Sequence, residues 1–366
     1  QTMDLSIFPR RRYTKSSTPI EPLPNLSKAL GNEVKLYIKR DDMLGLTGGG
    51  NKTRKLEFSM ADALLHNADT IITCGAVQSN HCRLTLSACI KEGLKCVLVL
   101  EERVAGSYMV DASGNNYLFH LLGAERIVKV GLGEAPAMVK VIADELRGEG
   151  RRPYVIPGGA SNNIGALGYC ACAQEIQHQQ FMEDDVPSFD YLVTASGSGG
   201  THAGLTAAMH ALRSNTKIVG ISTRHPEPKQ RAHIHTLAQS VLDYTLPSSG
   251  LILPEDAVVV KDEYVGEGYS IPTKGMKEAV TMFARLEGVL LDPVYTGKTA
   301  AGLVDLVREG YFPAGSNVLF LHTGGAPSLY HYQPIDDSVV GVAGAGGVSL
   351  TEVSKESCEE KKCDIA

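Results

Sequence analysis

Short apolar segments with the composition of β-strands alternate with helical segments along most of this chain. The alternation predicts an α/β fold, in which open twisted sheets of parallel strands are covered by helices on both faces. The predicted strands are residues 34–39, 70–73, 95–100, 125–130, 153–156, 191–195, 217–221 and 317–321. The predicted helices are residues 52–67, 80–92, 136–148, 164–180, 201–212, 274–286 and 298–308, with a surface helix and its preceding loop at 223–240. At roughly 150 residues per domain, the 366 residues predict about two domains.

The charge of the chain excludes two classes of partner. Its 35 Lys and Arg residues and 41 Asp and Glu residues give a net charge of −6. Nucleic acids and anionic membranes bind clustered positive charge, so neither is expected as a partner. No apolar run reaches the length of about 18 residues that a membrane span needs. No metal site is expected either, because His225, His233 and His235 lack a clear ligand spacing.

Cysteine usage predicts an intracellular protein. The eight cysteines form no Cys-x-x-Cys pair, so we expect reduced thiols rather than disulfides. The first residues lack the basic and apolar segments of a secretory signal. A cytoplasmic location is therefore predicted, or an organellar matrix if a transit peptide was removed. Residues 336–366 are rich in Gly, Glu, Lys and Ser and are predicted to form a flexible tail.

The 38 glycines cluster at a few places, and the first cluster, residues 195–201, lies between a predicted strand and a predicted helix. Such a loop lets backbone N–H groups converge on an anion at the positive end of the helix, which indicates a phosphate site. It is also compatible with a simple tight turn. A dinucleotide-binding fold would require an acidic residue after the next strand. That position has no acid, although Arg224 leaves an NADP-binding version open.

The second glycine cluster, residues 47–50, precedes a lysine at a predicted helix start. It differs from a P-loop because Asn51 separates the last glycine from Lys52. A charged lysine is electrostatically unfavourable at a helix N-terminus. A neutral amine or an imine would remove that cost, so Lys52 is a candidate Schiff-base lysine. The alternative is a lysine on the surface.

A third strand-to-helix turn, residues 75–81, carries small polar side chains. Ser79 or Asn80 is a natural helix N-cap. The same hydroxyl and N–H groups could instead bind a substrate carboxylate. The sequence alone leaves both interpretations open.

Six motifs, in order over about residues 5–333, resemble the D-cysteine desulfhydrase and 1-aminocyclopropane-1-carboxylate deaminase family. They are residues 49–58 (GGNKTRKLEF), 78–81 (QSNH), 195–205 (ASGSGGTHAGL), 266–269 (GEGY), 292–298 (DPVYTGK) and 322–327 (HTGGAP). The resemblance implies the tryptophan-synthase-β-like fold, fold type II, of pyridoxal-phosphate enzymes. It further implies a large cofactor-binding domain made of residues 1–54 and 161–335, and a small domain made of residues 55–160.

The resemblance also implies the site that holds pyridoxal 5′-phosphate. Lys52 would be the Schiff-base lysine, and Lys55 would lie close to the phosphate. The phosphate itself would be held by Ser196, Gly197, Ser198, Gly199, Gly200 and Thr201. Asn80 would bond the ring oxygen O3′, and Tyr295 would stack on the ring.

For the substrate, the resemblance implies a small amino acid and, as the assembly, a homodimer. Ser79 and His81, with Asn80, would bind the substrate carboxylate or take part in catalysis, and Tyr269 would line the pocket. Lys52, Ser79 and Tyr295 are the candidates for removing the Cα proton.

Two threonines bear on which reaction the family member catalyses. The deaminases carry Glu and Leu where this chain has Thr296 and Thr323. A carboxylate facing the pyridine nitrogen strengthens the electron sink that opens a cyclopropane, whereas a hydroxyl there leaves it weaker. The expected reaction is therefore β-elimination from D-cysteine to pyruvate, ammonia and hydrogen sulfide.

Three alternatives remain open at this point. Residues 151–159 and 265–269 are also compatible with cleavage of L-cysteate to sulfite. Cyclopropane deamination is a second alternative. A non-catalytic binding protein of the same fold is the third.

Overall fold

The computed structural model describes residues 3–332, so the tail predicted for residues 336–366 lies outside the described residues. The strands are β1 (Ile20–Pro22), β2 (Lys35–Lys39), β3 (Thr70–Ala76), β4 (Lys95–Glu101), β5 (Arg126–Val130), β6 (Pro153–Ile156), β7 (Tyr191–Ser196), β8 (Lys217–Ser222), β9 (Val259–Lys261) and β10 (Asn317–Leu321). One sheet has the order β1-β2-β10-β7-β8-β9, and the other has the order β5-β4-β3-β6. All pairs are parallel except β1 with β2.

Helices connect the strands and cover both sheets. They are α1 (Pro24–Ala29), α2 (Lys52–Leu65), α3 (Asn80–Glu92), α4 (Asn115–Leu121), α5 (Ala135–Gly148), α6 (Asn163–Met182), α7 (Gly200–Ala211), α8 (Glu227–Thr245), α9 (Lys274–Glu287), α10 (Thr296–Arg308) and α11 (Ala326–Leu329). Within residues 3–332, none of them has the length and hydropathy of a membrane span.

The first sheet is buried on both faces, as its apolar strands predict. In β10, Leu319 and Leu321 pack with residues of α6, α7 and α8, whereas Val318 and Phe320 pack with residues of α1, α9 and α10. This alternation follows from the two-residue period of a strand. The second sheet is covered by α2, α3 and α4 on one face and by α5 on the other.

The predicted strands and helices are confirmed, with ends that differ by a few residues. The sequence analysis missed β1, β9, α1, α4 and α11. Each of these has between three and seven residues. Segments this short complete too few turns or alternations to show a periodic pattern.

A buried cluster of charges fixes the first turn of α2 against the rest of the fold. Arg54 donates from Nε and Nη2 to the two carboxylate oxygens of Asp41 at 2.8 Å, and from Nη1 to Glu175 on α6 at 2.8 Å. Lys39 donates to the other oxygen of Glu175 at 2.6 Å, and the Tyr169 hydroxyl donates to Asp41 at 2.7 Å. Although burial opposes it, the cations Arg54 and Lys39 lower the pKa of Glu175 to about 2.

We expect Arg54→Met to lower the free energy of unfolding by about 3–5 kcal/mol, because it leaves buried carboxylates without their counter-charge. Urea unfolding followed by circular dichroism measures this loss. The matched control is Arg147→Met, which removes an exposed pair with Asp144 on α5 and should cost less than about 1 kcal/mol. Equal losses in the two variants would contradict the role given to the cluster.

Candidate active site

A cavity of about 230 Å³ lies where loops that follow strands of both sheets meet. These loops follow β3, β4, β6, β7, β8 and β10, so the cavity is at the carboxyl ends of parallel strands, where α/β folds commonly bind ligands. Its wall contains most of the predicted site residues: Lys52, Ser79, Asn80, His81, Gly197, Ser198, Gly199, Thr201, Tyr269, Tyr295 and Thr323. The predicted residues outside the wall are Lys55, Ser196, Gly200 and Thr296.

Lys52 is the first residue of α2, and its amine faces this cavity. Its Nζ donates to Asn51 Oδ1 at 3.1 Å, and Asn51 in turn donates from Nδ2 to Thr201 Oγ1 at 2.9 Å. Burial lowers the pKa of Lys52 to about 8, with Arg83 acting in the same direction against the attraction of Asp292. About a tenth of the free amine is therefore neutral at pH 7, far more than for an ordinary lysine, and the neutral form is the one that attacks a carbonyl.

The glycine loop between β7 and α7 requires glycine at positions 199 and 200, although it also contains Ser198. Gly199 has a φ of +97°, and a Cβ there would lie 2.7 Å from His233 Nε2. A Cβ on Gly200 would lie 2.9 Å from Lys55 Nζ. Because α7 begins at Gly200, the N–H groups of its first turn have no acceptor within the helix, and those beyond Gly200, which bonds Ser161, are available to an anion.

Lys55 lies directly behind this loop and is buried. Its Nζ donates to the Gly159 carbonyl at 3.1 Å and to Ser161 Oγ at 3.4 Å, and it forms no ion pair with a carboxylate among residues 3–332. Burial, with the charge of Lys52, holds the pKa of Lys55 well below its usual value. An anion in the glycine loop would compensate this buried amine.

Ser161 is a functional candidate that the sequence analysis missed. Its Oγ accepts from the Gly200 N–H at 3.1 Å and lies 2.7 Å from Ser198 Oγ. Gly159 makes this approach possible, since a Cβ there would lie 2.2 Å from Ser198 Oγ. The signal that could have revealed it is the pair Gly158 and Gly159, which follows β6 after Pro157 and resembles the other loops of the site.

Ser196 supports the glycine loop from below and lies outside the cavity wall. Its Oγ is 3.0 Å from His202 Nδ1 and accepts from Gln230 Nε2 at 2.9 Å. Gln230 also donates to the Gly197 carbonyl at 2.9 Å. These contacts hold the start of the loop in position.

The start of α3 presents two polar side chains to the cavity. Ser79 is the N-cap of α3, and its Oγ accepts from the Cys82 N–H at 3.1 Å. The Oδ1 of Asn80 accepts from Arg83 at 3.1 Å and from Asn115 at 2.7 Å. The Nδ2 of Asn80 is therefore the group that remains for a ligand oxygen.

His81 is buried, and its hydrogen bond defines its tautomer. Thr73 Oγ1 donates to the Ile156 carbonyl at 2.8 Å and lies 2.7 Å from His81 Nε2. Because the hydroxyl hydrogen is already used, Nε2 must carry the hydrogen of the imidazole. Nδ1 is then an acceptor without a partner among the described residues. Burial, with Lys52 and Lys55, holds the pKa of His81 well below its usual value, so the ring is neutral.

Asp292, which the sequence analysis also missed, fixes Tyr295 in the wall. Its carboxylate accepts from the backbone N–H groups of Val294, Tyr295 and Thr296, each at 2.9 Å. The Tyr295 hydroxyl makes a short hydrogen bond with that of Tyr269. Burial, together with Tyr269, raises the pKa of Tyr295, so its hydroxyl remains protonated.

Thr296 differs from the other predicted residues. It is fully buried, and its hydroxyl donates to Asp292 Oδ1 and accepts from the Asp292 N–H, both at 2.8 Å. Its hydrogen is therefore not free for a ring nitrogen, whereas Thr323 does line the cavity. That Thr296 faces the pyridine nitrogen stays a prediction.

Sequence comparison places these features in a known family. Residues 12–324 match the model of a family described as pyridoxal-phosphate dependent enzyme. The chain is 41% identical over 334 residues to a D-cysteine desulfhydrase of Salmonella typhimurium, covering 90% of this chain and 98% of the relative. It is also 41% identical to a D-cysteine desulfhydrase of Yersinia enterocolitica, with the same coverage.

Comparison with solved structures supports the same family and the same fold. The crystal structure of an ACC deaminase homologue matches with a TM-score of 0.79 and 38% identity, covering 90% of this chain and 95% of the other. An aspartate racemase that depends on pyridoxal 5′-phosphate matches with a TM-score of 0.60, 84% coverage of this chain and 90% of the other, but at 15% identity it shows the fold alone.

We expect Gly199→Ala to weaken binding of pyridoxal phosphate about tenfold or more, because the added methyl meets His233 and distorts the loop that would hold the phosphate. The measurement is cofactor titration of the apoenzyme by absorbance. Gly250→Ala is the control, since Gly250 also has a positive φ, +63°, but a Cβ there meets nothing within 4 Å. Similar losses of cofactor affinity in both variants would contradict the assignment of the loop.

Proposed function

Because the chain belongs to the family of pyridoxal-phosphate dependent enzymes, we propose that it catalyses β-elimination from D-cysteine to pyruvate, ammonia and hydrogen sulfide. The fold is the fold type II of that family, as the resemblance predicted. The relatives named D-cysteine desulfhydrase support the substrate. The observation that carries the proposal is that Lys52, the glycine loop and Tyr295 line one cavity.

The residues present fit pyridoxal phosphate. A Cβ on Gly199 or Gly200 would intrude into the glycine loop, and Lys55 supplies a buried amine behind it that a bound anion would keep protonated. In this proposal the loop, Ser161 and Lys55 hold the phosphate, and Lys52 holds the aldehyde carbon. Asn80 donates from Nδ2 to the ring oxygen. When bound, the cofactor stabilises the negative charge that forms on the substrate Cα.

Lys52 is the best candidate to take the Cα proton on its Nζ. Its pKa of about 8 leaves roughly a tenth of the free amine neutral at pH 7. Tyr295 is a poorer base, because its raised pKa keeps the hydroxyl protonated. The Ser79 hydroxyl already accepts the Cys82 N–H, and its hydrogen can be donated to the substrate carboxylate. A well-placed general base contributes about 10²–10⁴-fold to the rate.

His81 would act on the substrate as a neutral hydrogen-bond acceptor. Its Nδ1 can receive a hydrogen from an ammonium or a protonated carboxyl group, but it cannot donate one to a carboxylate. Carboxylate binding by the start of α3 therefore falls to Ser79 and to the backbone N–H groups of the helix. Tyr269 borders the same part of the cavity.

The proposal extends to assembly, location and domains. Phe181 and Met182, at the end of α6, expose 85% and 61% of their surface, and burial between two copies would stabilise a homodimer.

The described cysteines are free thiols, which suits a reducing cytoplasm. The two sheets draw their strands from different segments, which supports a large domain of residues 1–54 and 161–335 and a small domain of residues 55–160.

We expect D-cysteine to give the highest rate of pyruvate release in a panel with L-cysteine, L-cysteate, D-serine and 1-aminocyclopropane-1-carboxylate. Thiolate leaves more readily than hydroxide, and the hydroxyls of Thr296 and Thr323 provide no carboxylate to support cyclopropane opening. The measurement is a coupled assay of 2-oxo acid, with sulfide or sulfite determined separately. Dominant release of sulfite from L-cysteate, or of 2-oxobutyrate from the cyclopropane substrate, would overturn the proposal.

A further inference from the structure

Two arginines in the cavity wall have no part in the site described so far. Arg103 follows β4 of the second sheet, and Arg224 follows β8 of the first sheet. Both line the cavity that contains Lys52 and Tyr295. One guanidinium therefore comes from each sheet, at the carboxyl ends of parallel strands.

The guanidinium of Arg103 is held in place from one side only. Its Nε donates to Glu101 Oε2 at 2.6 Å, and its Cζ lies 4.8 Å from the centre of the Tyr269 ring. The other oxygen of Glu101 accepts from the Gly133 N–H at 2.8 Å. The Nη1 and Nη2 groups of Arg103 make no hydrogen bond within residues 3–332, so they are free for a ligand.

The side chain of Arg224 makes neither a hydrogen bond nor an ion pair in the part of the chain that the structure describes. It is half-buried, and burial, with the nearby charge of Arg103, lowers its pKa. A half-buried guanidinium has lost part of its hydration without gaining a counter-charge. Glu101 attracts it but is already bound to Arg103 and Gly133.

We propose that Arg103 and Arg224 form an anion subsite beside Tyr269, which binds an oxyanion on the side chain of an amino-acid ligand or free in solution. The proposal rests on the proposed function in one respect, because the amino acid occupies this cavity. Guanidinium groups suit such a ligand, since their planar N–H pairs match the oxygens of carboxylate, sulfonate or phosphate groups.

The subsite is distinct from the phosphate cradle. The pair Tyr269 and Tyr295 lies between Arg103 and the glycine loop. Arg103 stacks on Tyr269, and Tyr269 is hydrogen-bonded to Tyr295. A Cβ on Gly197 would lie 3.6 Å from the Tyr295 ring. The guanidinium of Arg103 thus lies beyond the tyrosine pair from the phosphate cradle, and in this proposal the side chain of the ligand lies there. That position also suits a side chain that leaves as an anion, which is what elimination from D-cysteine produces.

Matched pairs of ligands test the subsite in the holoenzyme. The probes are D-aspartate with D-asparagine, and D-glutamate with D-glutamine, each pair having nearly equal size but different charge. Binding is measured from the change in the visible absorbance of the cofactor, so the readout does not depend on pyruvate release. We expect the anionic member of at least one pair to bind about tenfold more tightly, as a charge-assisted pair of hydrogen bonds would give.

The variant Arg224→Gln should remove this preference and leave binding of D-alanine unchanged. Arg103→Lys, which keeps a cation beside Glu101, is a second variant with a reduced preference, because lysine cannot bind an oxyanion in a bidentate manner. Lys229→Gln is the matched control, since it removes one positive charge from an exposed position on α8 and should keep the preference.

Inorganic sulfate distinguishes the two sources of the anion. If it competes with D-aspartate but not with D-alanine, the subsite also binds a free anion; if it competes with neither, the subsite is used only by a side chain. Equal binding of charged and neutral ligands by the wild-type holoenzyme would overturn the proposal. So would a loss of cofactor affinity in Arg224→Gln, which would assign the arginine to the cofactor. If D-cysteine gives no pyruvate, the proposed function fails, while the absorbance titration still tests the subsite.

Discussion

The ion cluster at Asp41 and Arg54 is the interaction on which the site most depends. Arg54 is two residues beyond Lys52 on α2, and its guanidinium is bonded to the carboxylates of Asp41, just after β2, and of Glu175 on α6. This cluster fixes the direction and position of the first turn of α2. The reactive amine of Lys52 therefore lies on a rigid element, although the glycine segment before it has little structure of its own. Rigid support of this kind is what keeps a catalytic group in a productive geometry.

The topology explains why residues from distant parts of the chain meet. The polar loops at 75–81, 157–161, 197–201 and 323–325 all follow strands that run in parallel within their sheets. The carboxyl ends of parallel strands lie at one edge of their sheet. In both sheets, the loops at this edge border the same cleft. The first sheet supplies the glycine loop, the start of α10 supplies Tyr295, and the second sheet supplies the start of α3. A cofactor and an amino acid can then be bound from two sides.

Much of this arrangement is predictable from the sequence, for identifiable reasons. Long apolar strands and amphipathic helices show a clear period in their hydrophobic residues, and the glycine loops are recognisable from their composition. Ser161 was missed because its role depends on contacts with Ser198 and Gly200 in a distant segment. Asp292 bonds N–H groups of its own turn, but the sequence pattern does not show that its carboxylate folds back onto them. For Thr296, the sequence shows its position next to Tyr295 but not the direction of its hydroxyl. In the structure this hydroxyl is hydrogen-bonded to Asp292. The charge balance around Arg224 likewise depends on packing that no single segment contains.

The central claim is that Lys52 binds the cofactor within the cavity that holds the substrate. Reduction of the cofactor-loaded enzyme with borohydride, followed by protease digestion and mass spectrometry, tests it most directly. The account predicts a pyridoxyl-phosphate label on the peptide that contains Lys52, blocked in Lys52→Arg. Lys55 and Lys298 are the informative alternatives, since both are buried amines with lowered pKa values. A label on either of them, with Lys52 unmodified, would contradict the account.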